Sequence, residues 1–279
     1  MKSLTPNAPI TSRDNAKFKA LRALAEDARE PRKQGRAIAD GIHLVATALA
    51  RGANVLQLII SEGAQNHPEV VALQMHYPTL DALVLRDSLY REISALSASV
   101  GLSGVVEIPA ARALDLSRGA VLLDAVQDAG NVGVILRTAA AAGVEDVVLG
   151  IGCAGAWTSR VLRSGQGAHF SLQIHEQVDL AEVLKNSCAT SIATVAKNAP
   201  KLYDIDLKNP VVWLFGNEGA GLSPELAALA THRATIPLAT TTESLNVGAA
   251  AAICLFEAVR QRRVTTSYGA ERVVSATAL

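Results

Sequence analysis

Apolar residues follow two alternating rhythms along this chain: short unbroken runs, and longer stretches with one apolar face. The alternation predicts strands and helices in turn. Phe18, Leu21 and Leu24 recur at helical spacing behind Thr11 and Ser12, either of which can cap a helix. Beyond Pro31 the pattern predicts a strand at 36–39, a helix at 42–50, a strand at 55–60, a helix at 69–76, a strand at 80–85, a helix at 88–96 and a closing strand at 105–108. Residues 109–119 open on Pro109, end on Gly119 and carry charge between two apolar runs, so they read as a linker. The first ten residues hold Pro6 and Pro9 and are expected to fray.

The second half alternates more regularly. Strands are predicted at 121–126, 147–149, 170–174, 191–195, 211–215 and 234–236, with helices at 131–142, 159–165, 180–185, just after Pro224, and at 246–262. This order implies an α/β fold with a mostly parallel sheet covered by helices on both faces. The expected domains are a smaller α/β unit at 1–108, a larger one at 120–265 and a tail at 266–279. The last helix is almost wholly apolar from Val247 to Phe256, which predicts burial on all sides, in the core or against a second subunit.

Composition narrows the function classes. Nearly half of the 279 residues are hydrophobic, and 4% are aromatic. That suits Ala- and Val-rich strands and helices and excludes a disordered chain. Net charge is zero, so any nucleic-acid contact must come from a local patch. The stretch from Arg13 to Arg36, with Lys17, Lys19 and Arg22, is one such patch; a solvated helix face explains it equally simply. Cys153, Cys188 and Cys254 are odd in number and far apart, and no metal-ligand spacing occurs, so no disulfide framework and no metal site are expected. No signal-peptide core or membrane-spanning run is present, which makes a reducing cytoplasm the default.

Three segments carry candidate chemistry. In the first, a strand feeds Asp124–Asp128 and then Asn131-Val-Gly133-Val-Ile-Leu-Arg137. Asn131 can cap the helix, and Gly133 lets another backbone approach closely. Arg137 is the only charge from Asn131 to Val144, so a salt-bridge partner or a ligand is expected for it. The glycine fingerprints of dinucleotide and P-loop sites are absent. In the second segment, an apolar strand ends at Phe215 and runs into Gly216-Asn-Glu218-Gly-Ala-Gly221-Leu-Ser, three glycines around one carboxylate. In the third, Ile236-Pro237-Leu238 precedes a polar loop and then Ser244-Leu245-Asn246 at the head of the apolar helix. Capping explains Ser244 or Asn246, but not both.

In this order and spacing, the three segments resemble the three signature motifs of the SpoU-type RNA 2′-O-ribose methyltransferases of the SPOUT superfamily. Arg163-Ser-Gly-Gln-Gly167 is similar to the family's intermediate segment, and residues 11–108 resemble the RNA-holding, ribosomal-protein-like domain often fused ahead of the catalytic one. The chain departs from the pattern at Gly248, where the family often has a hydroxyl residue, and at Ala129, where Pro is common.

The resemblance implies a trefoil-knotted catalytic domain that works as a homodimer. It implies S-adenosyl-L-methionine as cofactor, held through Phe215, Gly216, Ile236, Leu238, Leu245 and Asn246. It implies a structured RNA as substrate, ribosomal RNA favoured over transfer RNA, with Arg13, Lys17, Lys19, Arg22 and Arg163 as RNA contacts. Arg137 takes the catalytic place, with Asn131, Glu218, Ser244 and Asn246 positioning it and the ribose. Because arginine stays protonated, a role orienting the hydroxyl and a phosphate suits Arg137 better than that of a base. The alternatives are a non-catalytic RNA-binding relative, which intact motif residues disfavour, and a nicotinamide enzyme, which the missing fingerprint disfavours.

Overall fold

The computed structural model describes residues 8–96 and 99–266, with side chains to Arg263. The expected tail therefore lies almost wholly outside the described residues, as does most of the amino-terminal stretch expected to fray.

The first unit opens with α1 (Ala16–Glu26). Its cap is neither Thr11 nor Ser12 but Asn15, whose side chain accepts from the Lys17 and Phe18 amides. Phe18, Leu21 and Leu24 are buried, as their spacing predicts. There follow α2 (Glu30–Gln34), β1 (Arg36–Asp40), α3 (Ile42–Ala50), β2 (Val55–Ser61), α4 (Pro68–His76), β3 (Ala82–Leu85), α5 (Asp87–Ile93) and β4 (Leu102–Glu107). The strands form a sheet in the order β1-β4-β2-β3, with β4 antiparallel to both neighbours and β2 parallel to β3. Helices α1 and α5 cover one face, around Phe18, Ile59, Leu85 and Val105.

The second unit runs β5 (Ala120–Leu123), α6 (Ala129–Ala141), β6 (Asp146–Gly150), α7 (Ser159–Gly165), β7 (Gln173–Val178), α8 (Leu180–Lys185), β8 (Ser191–Thr194), β9 (Val212–Phe215), α9 (Pro224–Leu229), β10 (His232–Ala234) and α10 (Val247–Thr266). Six strands lie in the order β10-β8-β9-β5-β6-β7, and every neighbouring pair is parallel. Val121, Leu123, Trp213 and Phe215 point to one face, with α6 and α10. Leu122, Val148, Val212 and Leu214 point to the other, where Leu180 and Leu184 of α8 and Leu226 of α9 cover them.

The two units share a core. One apolar cluster runs from Val45 and Leu58 of the first to Val161 and Leu162 of α7. A Cβ on Gly167, just past α7, would lie 2.7 Å from Thr47 Cγ2 of α3. The expected linker is pinned: Arg112 donates to the fully buried Asp146 at 2.6 Å and pairs with Glu145 at 3.1 Å.

Two sequence expectations shift. The 170–174 strand is instead a 3-10 turn (Ala168–Ser171) followed by β7, whose Gln-Ile-His-Glu-Gln-Val pattern is that of a half-solvated edge strand. Helix α6 starts earlier than expected, capped by Asp128, whose side chain accepts from the Asn131 amide at 2.8 Å. Asn131 is therefore inside the helix, with its side chain free for other work. Within one chain helix α10 is covered on one side only: Ala251, Cys254, Leu255 and Ala258 face the core, whereas Ala249 is exposed and Phe256 is 47% exposed, the side for which a second subunit was the expected cover.

Candidate active site

The strand order makes a crevice. From β5 the chain moves outward through β6 to β7; from β9 it moves the opposite way to β10. At such a switch point the loops leaving two adjacent parallel strands part, and ligands bind at their carboxyl ends. The first and second candidate segments leave β5 and β9 there, side by side, with the Asp124 amide donating to the Phe215 carbonyl at 2.9 Å. The third segment arrives from β10 across the end of β9, and Asn246 reaches Asn131.

One hydrogen-bond chain joins all three segments. Asn246 Nδ2 donates to Asn131 Oδ1 at 2.8 Å, and Asn131 Nδ2 donates to Glu218 Oε1 at 2.9 Å. Glu218 also accepts from the Asp128 and Gln127 amides at 3.3 and 3.4 Å. Burial pushes the Glu218 carboxyl up, but hydrogen bonds from Asn131 and from backbone amides outweigh it and hold the group below its ordinary value. It is a carboxylate at neutral pH, and that charge fixes which way the Asn131 amide faces. Asn246 in turn caps α10, its Oδ1 accepting from Gly248 and Ala249 at 2.9 and 3.2 Å.

The Gly216–Leu222 turn is folded tightly on itself. Asn217 and Gly221 exchange two backbone bonds of 3.0 and 2.9 Å, and Asn217 Oδ1 accepts from Gly219 and Ala220. Asn217 Nδ2 ties the turn to the Ala125 carbonyl at 2.8 Å, and the Ser223 amide donates to Asp124 at 2.8 Å. Gly216 has no room for a side chain: a Cβ there would lie 2.2 Å from the Gly221 and Leu222 backbone. Gly216 is buried, yet neither its N–H nor its C=O has a hydrogen-bond partner among the described residues. The backbone groups of half-buried Ile236 and Leu238 and of exposed Leu245 also have no backbone partner among the described residues. Of these, only Gly216 is buried, so its two backbone groups are open to water or to a ligand in the crevice rather than to another part of the described chain.

Comparison with known proteins places this arrangement. The profile of the SpoU rRNA Methylase family matches residues 119–256. An uncharacterized tRNA/rRNA methyltransferase of Synechocystis is 32% identical, over 94% of this chain and 97% of its own. The chain belongs to the SpoU family. The 23S rRNA guanosine 2′-O-methyltransferase RlmP of Bacillus subtilis is 29% identical over 88% of this chain and 97% of its own. The crystal structure of the SpoU methyltransferase AviRb of Streptomyces viridochromogenes, in complex with AdoMet, superposes with a TM-score of 0.82 at 26% identity, covering 89% of this chain and 98% of that one. An AdoMet-bound rRNA methyltransferase from Sinorhizobium meliloti gives 0.77 at 30% identity, covering 91% and 97%.

The structure joins Asn131, Glu218 and Asn246 by hydrogen bonds, while Arg137 and Ser244 make none to them among the described residues. Arg137, about 1.7 turns beyond Asn131, is exposed and has no partner among the described residues. Of the two partners expected for it, a salt bridge is absent among the described residues, and the exposed guanidinium carries no desolvation cost that demands one. Ser244 is exposed and makes no hydrogen bond among the described residues; Asn246 is the cap. Phe215 is fully buried beside Trp213, so only its backbone can border the crevice. Of the expected RNA contacts, Arg13, Lys19 and Arg22 are engaged by Glu92, Asp14 and Glu26 in exposed ion pairs, while Lys17 is free. Arg163 donates to the Ala95 carbonyl at 3.3 Å across the seam between the units. Sequence reasoning assigned no role to Asn217 or Asp124, which hold the glycine turn in place; each stands within a quoted motif and next to the end of a strand. No helix among the described residues is long and apolar enough to cross a membrane, and no group of three His, Cys, Asp or Glu is placed to hold a metal ion.

Proposed function

We propose that the chain methylates a ribose 2′-hydroxyl of ribosomal RNA, in the cytoplasm, using S-adenosyl-L-methionine bound where β5 and β9 end. The observation that carries this reading is the pair of unpaired backbone groups on buried Gly216, beside a carboxylate–amide–amide chain that joins all three motifs. These residues fit the cofactor. Gly216, Ile236, Leu238 and Leu245 offer free N–H and C=O groups to an adenine edge and a ribose, Phe215 borders the floor, and Asn246 closes the rim. The bound cofactor supplies an electrophilic methyl on a sulfonium.

The chain's own residues then position the nucleophile. Glu218 holds Asn131 in one orientation, and Asn131 holds Asn246, so the polar rim is preorganised before RNA arrives. Ser244, free of capping duty, offers a hydroxyl to the ribose. Arg137 carries an unpaired guanidinium at the open side of α6, placed to bind a phosphate and orient the 2′-hydroxyl.

The exposed apolar strip of Val134, Ala249 and Phe256 runs along α6 and α10 beside Arg137. Exposed apolar residues on two helices that pack together suit a subunit interface, and a homodimer paired through them would bring a second copy to α6, the helix that carries Asn131 and Arg137.

The Arg137→Ala variant tests the assignment. Methyl transfer should fall by at least ~100-fold, while calorimetry finds cofactor affinity within a fewfold of wild type. Transfer within a fewfold of wild type would remove Arg137 from the chemistry.

A further inference from the structure

A ribose 2′-hydroxyl is present on every nucleotide, so the acceptor site alone cannot select one. Selection needs contacts to bases or to RNA shape elsewhere on the chain. The seam between the two units holds a cleft of about 280 Å³. That lies just under the roughly 300–1,000 Å³ of ordinary ligand pockets, a size suited to one base. Leu44 and Val100 give it apolar walls, His43 and Glu69 flank one side, and Arg163 and Gln166 at the end of α7 close the other.

Some polar groups around this cleft are engaged: Ser99 Oγ accepts from the Gly101 amide at 3.0 Å, and Gln166 Nε2 donates to the Arg163 carbonyl at 2.7 Å. Asp40, which also lines it, is saturated: it accepts from Ala95 N at 2.7 Å, Ser103 Oγ at 2.8 Å and Ser94 Oγ at 2.9 Å, so it supports the wall. Arg163 spends one donor on the Ala95 carbonyl and meets no carboxylate. The side chains of His43 and Glu69 have no partner among the described residues. A free cation, a free imidazole and a free carboxylate around an apolar slot complement a nucleotide, which has apolar base faces, a polar base edge and an anionic phosphate.

The cleft is also rigidly coupled to the active site. Ser164, next to Arg163, donates to the carbonyl of Ala129 at the start of α6. A Cβ on Gly133 would lie 1.8 Å from Ser164 Oγ. Helix α7 thus carries the cleft residue Arg163 and packs directly against α6, the helix that holds Asn131.

We infer that this cleft holds one nucleotide of the RNA substrate, its base between the apolar walls, its edge toward His43 and Glu69, and its phosphate on Arg163. The inference rests on the RNA-methylating reading above. The test measures transfer from S-adenosylmethionine to unmodified 23S rRNA transcribed in vitro, for the full chain and for His43→Trp and Arg163→Ala. His43→Trp fills the cleft from an exposed position. KM for RNA should rise about tenfold in each variant, equivalent to ~1.4 kcal/mol, with kcat and cofactor affinity within twofold of wild type. KM within twofold of wild type in both would overturn the inference.

Because Arg163 also holds the Ala95 carbonyl, wild-type protein is cross-linked in parallel to a 4-thiouridine-substituted transcript. Adducts on peptides containing residues 41–44 or 163–166 support the cleft. Adducts confined to other surfaces overturn it, even if a variant fails to fold. Wild type that cross-links at the cleft but transfers no methyl would uphold the cleft and sink the catalytic reading.

Discussion

A methyl group added at Gly216 should cost both stability and cofactor binding, and the structure sets the size of the loss. In Gly216→Ala the new Cβ would stand 2.2 Å from Gly221 C and Leu222 N, and 2.4 Å from Gly221 O. Ordinary contact starts near 3.4 Å, so the 217–222 turn must retreat by about 1 Å. The opposing atoms are backbone, which no rotamer change can move. Retreat stretches the two Asn217–Gly221 bonds, worth ~1 kcal/mol net each, and overpacking adds ~1–3 kcal/mol. A loss of ~3–5 kcal/mol corresponds to a melting point lower by roughly 5–9 °C for a chain of this size. Glu218 rides on the same turn, so Asn131 loses its anchor and cofactor affinity should drop by at least ~30-fold, about 2 kcal/mol. Gly219→Ala is the control in the same turn: its Cβ would meet only Asn217 Oδ1, at 3.6 Å, and should change little. Calorimetric melting and cofactor titration of both variants decide the matter. If Gly216→Ala melts and binds like Gly219→Ala, the turn is not the cradle.

Two further outcomes follow from burial. His169 is completely buried and its Nε2 meets the Ala156 carbonyl at 2.8 Å; burial pushes the imidazole down from 6.5 to about 4. As pH falls the unfolded chain takes up this proton first, so stability should fall between pH 6.5 and about 4, by up to ~3 kcal/mol. Urea unfolding should show that loss in wild type and not in His169→Gln; equal acid losses in both would contradict it. At the apolar strip, Phe256→Glu should give a folded monomer by light scattering, whereas Ala251→Glu, with its side chain in the core, should unfold the chain. A dimeric Phe256→Glu would move the interface elsewhere.

Much of the fold was legible because periodicity reports burial directly. Helices α3, α7 and α8 begin and end where their apolar spacing places them, and the unbroken runs at β5 and β9 are fully buried strands. Helix starts were harder. Asp128 and Asn131 are both competent caps three residues apart, as are Ser12 and Asn15, and sequence alone does not choose between such pairs. The one-sided burial of α10 was hidden because its exposed face is as apolar as its core face, so no polar stripe marks the boundary.

The site was legible as three motifs but not as one network. Asn246 and Asn131 are 115 residues apart, and Asn131 and Glu218 are 87 apart; local spacing cannot show that their side chains meet. The exposure of Arg137 was not legible, for a physical reason. A lone charge in an apolar stretch suggests a buried, paired group, but here the stretch is a helix with one open side, and the charge stands on it.

The central claim is that this crevice moves a methyl group from S-adenosylmethionine to a ribose oxygen of ribosomal RNA. Purified protein is incubated with methyl-labelled cofactor and unmodified 23S rRNA, and the RNA is digested to nucleosides and analysed by mass spectrometry. Label is expected in a single 2′-O-methylated nucleoside and is expected to be absent with Arg137→Ala. Label on a base, or no label with a cofactor-bound wild-type protein, would contradict it.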